Sequence, residues 1–225
     1  MNQDTFWTLI HEAKAACGQD MDAMEHYLRD ALVSMGPAAA QNFHNILHAY
    51  EDLAYQYGLW DAASVIKEYG CSDDGFIDFR AWLIAQGKDV YLNALKDPDS
   101  LADIELYGDC SFECMSYVGD YAYEQLTGRS AYGDMDEAAF AKLKDELRNG
   151  IVYKDGIQYP REPRDLPKFL PRLCAKYGGP ERFNVMPNVW NFDLHEIRKL
   201  LDEGKQHDKQ AAKKEKPHGK GGGAR

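Results

Sequence analysis

Within ten residues, Cys71-Ser72-Asp73-Asp74-Gly75-Phe76-Ile77-Asp78-Phe79-Arg80 gathers three carboxylates, a thiol and a guanidinium, and Trp82 and Leu83 follow directly. Residue types in this pattern support two readings. In the first, Ser72, Asp73 or Asp74 accepts the free N–H groups of a helix start, where acids also suit the helix dipole, and Phe76, Phe79, Trp82 and Leu83 form a core face. In the second, Asp73, Asp74, Asp78 and Arg80, beside Cys71 and Trp60, form a recognition point for a charged ligand or a partner's basic side chain.

A calcium loop is disfavoured, although Asp74-Gly75-Phe76-Ile77-Asp78-Phe79 matches its central part. Taking Gly75 as the sixth loop position puts Gly70 first and Ala81 twelfth, and both must be carboxylates to satisfy a hard cation. His44 and His48 are four apart, as a metal-binding helix face requires, with Glu51 and Asp52 a turn further on. Asn45 stands where a His-Glu-x-x-His protease needs its general base, so metal binding through His44 and His48 is the weaker alternative. Cys110 and Cys114 lack Cys-x-x-Cys spacing, and buried thiols are the default reading. Nothing matches a phosphate-cradling glycine loop, a nucleophile elbow or a kinase motif set, so no cofactor is expected.

The elements that must position these residues are helices. Apolar residues at helical spacing predict one helix from Asp4 or Thr5 to Gly18, a second over Asp20–Ser34, and a third from Pro37 to about Tyr57. Their short connections predict antiparallel packing. Further helices are expected over Trp60–Tyr69, from Ser72 to Gln86, Lys88–Leu95, Ser111–Thr127 and Asp134–Arg148, the last with Phe140, Leu143 and Leu147 inward. Asp97-Pro98-Asp99-Ser100 reads as a helix-initiating turn. After Gly150, Asp155-Gly156 between β-prone runs signals a hairpin. A short helix over Leu166–Tyr177 and a last one over Asp193–Glu203 follow. The expected fold is mainly α: a multi-helix orthogonal or antiparallel bundle over 4–150, a small irregular wrap over 151–204 on the same globule, and a disordered basic tail over 205–225.

Charge narrows the function classes. The net charge of −11 divides unevenly, because 205–225 holds seven Lys or Arg against two acids, +5, leaving −16 on residues 1–204. A body so acidic repels phosphates, which disfavours nucleic acid except through the tail and suits a basic protein partner. No apolar run reaches the roughly 18 residues of a membrane span. Met1-Asn2-Gln3-Asp4 is polar and acidic rather than signal-like, and five scattered cysteines are no disulfide framework, so a reduced cytoplasmic protein is expected.

Four motifs together resemble a known family. Phe6-Trp7-x-Leu9-Ile10, Leu59-Trp60-x-Ala62-Ala63-x-x-Ile66, Cys71-Ser72-Asp73-Asp74-Gly75-Phe76-x-Asp78-Phe79-Arg80-x-Trp82-Leu83-Ile84 and Asp97-Pro98-Asp99-Ser100-Leu101-Ala102 look like those of a bacterial domain-of-unknown-function family, over about residues 4 to 150. The resemblance implies a helical bacterial domain without an established activity, cofactor or catalytic residue. The leading expectation is a non-enzymatic, immunity-type or regulatory module that binds a basic protein. The alternative is a small-molecule, hydrolase-like enzyme with a pocket near Trp60, Asp74 and Arg80.

Overall fold

The computed structural model describes residues 1–67, 70–154 and 162–179. Residues Met1–Met186 form one compact unit, and the second unit, Pro187–Arg225, lies outside the described residues. So do the expected helix over Asp193–Glu203, the tail, and the Asp155-Gly156 turn of the expected hairpin.

The described residues are helical and contain no strand. The helices are α1 (Gln3–Cys17), α2 (Met21–Met35), α3 (Pro37–Leu53), α4 (Tyr57–Ile66), α5 (Asp73–Ala85), α6 (Lys88–Lys96), α7 (Glu113–Thr127), α8 (Glu137–Arg148), α9 (Leu166–Phe169) and α10 (Pro171–Tyr177). The cap of α1 is Asn2, whose side chain accepts from Thr5 N, rather than Asp4 or Thr5. Asp20, Ser72 and Asp136 cap α2, α5 and α8 in the same way, each satisfying one orphan N–H of a first turn.

The middle of the bundle is α7. It packs on α2, α3 and α5, while α1 packs on α2 and α8 lies against α3. The apolar stripes of α1, α3 and α6 meet in an aromatic cluster of Phe6, Trp7, Phe43, Tyr50 and Tyr91. Its polar tips are satisfied internally: Trp7 Nε1 and Gln3 Nε2 donate to Tyr50 Oη, and Tyr91 Oη donates to the Tyr50 carbonyl. A second aromatic run joins Trp60, Phe76, Phe79 and Trp82. By contrast, Phe140 and Leu143 of α8 are only half-buried, and Leu147 is the residue of this helix that reaches the core.

Two places show tertiary structure reusing residues for ends that local sequence leaves open. Glu51 stands in the last turn of α3, and its carbonyl accepts from Arg80 Nη1 at 2.8 Å, so a buried guanidinium caps a helix C-terminus. The second is Asp99, in a 3-10 turn over Pro98–Asp103. Helix α10 has no local side-chain cap, and the buried Asp99 carboxylate accepts from its Arg172 and Leu173 N–H groups at 2.9–3.1 Å.

Lys176 Nζ and the Arg172–Asp103 ion pair add to this attachment of α10. Asp99→Ala leaves those N–H groups buried without an acceptor, at a cost of about 2 kcal/mol. Amide exchange in a peptide spanning 162–179 is expected to speed up by roughly 30-fold, while that of α3 stays unchanged. Equal protection in both proteins would remove Asp99 as the anchor.

Candidate functional site

The residues singled out around α5 divide between three surroundings. Trp60 is buried, stacked on Phe76 at 4.7 Å, with Nε1 donating to the Cys71 carbonyl at 2.9 Å. Cys71 is buried beside it, and desolvation pushes its thiol up to about 12, so it is no nucleophile near neutral pH. Arg80 points inward, between the rings of Tyr55 and Phe76, and donates to the Phe76 and Glu51 carbonyls. Trp60, Cys71 and Arg80 therefore belong to the packing.

The acids face out. Asp73 and Asp74 are exposed in the first turn of α5, and Asp78 is half-buried one turn on. Burial raises the Asp78 carboxyl first, and repulsion from Glu113 and Asp74 raises it further, although the Lys67 ammonium pulls the other way. Glu113 also acts on Cys114 together with Glu25 and Asp22, after desolvation, so these groups share one surface.

The result is an acidic band across α5, α7 and α2: Asp74, Asp78, Glu113, Glu25 and Asp22. Glu25 pairs with Arg29 at 3.5 Å, and among the described residues none of the other four has an ion pair. Tyr117 and Tyr121, partly exposed with rings 5.9 Å apart, extend the band along α7. Glu113, Tyr117 and Tyr121 are 35 or more residues from Asp78 in the chain, so sequence spacing carries no sign of the band.

Beside the band opens a cleft of about 300 Å³, bordered by Ile66, Lys67, Leu106, Tyr107, the turn 108–110 and Tyr177. Gly108, Asp109 and Cys110 take φ values of 60°, 56° and 52° in succession. Only the glycine adopts that conformation without cost, and a bulkier residue there costs about 1 kcal/mol or more. Lys67 is buried at 9% exposure and donates to Ser111 Oγ at 2.5 Å. Sequence reading missed Lys67 because a lone lysine at a helix end carries no pattern.

The histidines are divided by burial. His48 Nδ1 lies 2.7 Å from Glu51 Oε2, and Ser116 Oγ donates to the other oxygen of that buried carboxylate. With an Nδ1 hydrogen directed at the carboxylate, Nε2 of His48 is left to accept from Tyr132 Oη at 2.9 Å. Burial pushes the Tyr132 phenol up to about 12, so this chain of hydrogen bonds holds an un-ionised tyrosine near neutral pH.

His44 is fully buried, with its ring 4.2 Å from that of Tyr132 and no hydrogen-bond partner on either nitrogen among the described residues. No group of three or more His, Cys, Asp or Glu among the described residues is arranged to hold a metal ion.

The fold and this surface define an all-helical domain with an acidic, tyrosine-bearing face. The model of the family described as "Protein of unknown function (DUF4240)" matches residues 1–125, and the chain belongs to that family. No curated protein and no solved structure matches it. No helix among the described residues is long and apolar enough to cross a membrane.

Proposed function

We propose that this chain is a non-enzymatic binding module, of the immunity or regulatory type, that recognises a basic protein partner in the bacterial cytoplasm. The observation that carries this is the acidic band: Asp74, Asp78, Glu113 and Asp22 share one face with no ion pair among the described residues. Like charges brought together by folding destabilise the free protein, and a cationic partner relieves that repulsion while gaining complementarity and a faster encounter. Tyr117 and Tyr121 supply the large, stiff contact area that interface centres favour.

The enzyme alternative draws less support, because Trp60 and Arg80 are packed inward and leave Asp74 alone in water. The metal alternative draws less still, with both His48 nitrogens engaged and His44 sealed from solvent.

The test is affinity capture from native cells at about 50 mM and about 500 mM salt, beside an Asp74→Asn, Asp78→Asn, Glu113→Gln variant. A basic protein held at low salt, released at high salt as screening shortens the range of charge contacts, and absent from the variant is the expected result. Capture that the variant leaves unchanged would sink the proposal.

A further inference from the structure

We propose that the cleft beneath the turn 108–110 is a binding site for a small carboxylate with an apolar body, held by the Lys67 ammonium. Burying Lys67 carries a cost. An ammonium has three donors, and among the described residues Lys67 meets one acceptor, the neutral Ser111 Oγ, with no carboxylate within ion-pair distance. A buried cation with unspent donors is unfavourable unless an anion completes it.

The remaining walls fit the rest of such a ligand. Tyr107, Tyr177, Ile66 and Leu106 offer aromatic and aliphatic surface, and about 300 Å³ is the lower end of the range for small-molecule sites. The three left-handed residues Gly108, Asp109 and Cys110 form one edge of the cleft, and backbone held in a sparsely populated conformation concentrates at ligand sites. Asp109, also on this edge, disfavours a multiply charged anion, so a single carboxylate with an apolar remainder fits better than phosphate.

The Lys67 ammonium also acts on Asp78 of the acidic band, so the cleft is tested with different probes, small molecules rather than a basic protein. Benzoate, benzyl alcohol and inorganic phosphate are titrated separately into the full chain, followed by the NMR signals of Tyr107 and Tyr177. Expected is saturable millimolar binding of benzoate, with benzyl alcohol and phosphate at least about 10-fold weaker, because each lacks either the charge or the apolar fit. Lys67→Met should abolish the benzoate response and Lys67→Arg should keep part of it, with circular dichroism confirming that each variant is folded.

If benzoate and benzyl alcohol bind the wild type equally, or only phosphate binds, the proposal fails without reference to any variant. A folded Lys67→Met protein that still binds benzoate also overturns it.

Discussion

Replacing Gly119 with alanine is expected to destabilise the protein by about 3 kcal/mol, the upper end of the usual cost of overpacking a core. Gly119 lies in the middle of α7, and a Cβ built there would sit 2.8 Å from His44 Cβ and 2.9 Å from both His44 Cα and N. Those are backbone and near-backbone atoms of α3, so no rotamer change makes room. The two helices must separate along the most extensive helix contact among the described residues.

In an exposed helix the same substitution would stabilise by about 1 kcal/mol, since alanine is the better helix former. Urea unfolding measures the difference, and Gly150→Ala, with nothing closer than 3.6 Å, serves as the control and should be near neutral. A Gly119→Ala protein as stable as the wild type would mean that α3 and α7 do not cross this closely.

The same crossing seals His44, and the second expected result concerns acid. Desolvation pushes the His44 imidazole down to about 3 from its ordinary 6.5, with the neighbouring His48 adding to the shift and Asp120 opposing it. The sign follows from proton counts. Above about pH 6.5 the ring is neutral in both states and stability is complete. As pH falls toward 3, the unfolded chain takes up a proton that the folded protein refuses, so stability is lost progressively across that window.

At pH 4.5 the loss from this one residue is about 2–3 kcal/mol. His44→Phe keeps a flat ring against Tyr132 and removes the titration together with two unpartnered nitrogens. Unfolding free energies at pH 7.5 and 4.5 should therefore differ by about 2–3 kcal/mol less in the variant, which should also gain about 1 kcal/mol at pH 7.5. Identical pH dependence in the two proteins would show that His44 is protonated as easily folded as unfolded.

Much of the helical layout was legible because local rules decide it. The caps Asp20 and Ser72, the proline opening α3 and the glycine after α5 stand where short-range hydrogen bonding and backbone sterics require them, whereas the helix expected from Asp134 is capped by Asp136. Other boundaries moved for local reasons that the pattern obscured. Helix α3 ends at Leu53 rather than near Tyr57, because the chain turns at Ala54 and α4 begins at Tyr57 with Gly58 inside it. Asp97-Pro98-Asp99-Ser100 was expected to open a helix and instead makes a 3-10 turn. The ranking of faces was harder still: α8 has a well-separated apolar stripe yet lies at the edge of the bundle, where only Leu147 is buried.

The candidate site shows where local reading stops. Closeness in the chain grouped Asp73, Asp74 and Asp78 in one recognition point, and Asp73 and Asp74 are exposed with Asp78 half-buried. It also grouped Arg80 with them, whereas Arg80 turns to the Glu51 carbonyl, an acceptor 29 residues away whose need depends on where α3 ends in space. Asp99 looks like a turn residue and anchors a helix 73 residues later. By itself the sequence determined an acidic, all-helical protein, its capped helices and the character of each face, because propensity, capping and periodicity act within a few residues. Only the tertiary structure decided that α7 would lie between α2, α3 and α5, bring Glu113 to Asp78, press Gly119 onto His44 and leave Lys67 at a cleft. Those outcomes depend on which buried surfaces meet, and the packing of side chains from distant parts of the chain selects among them.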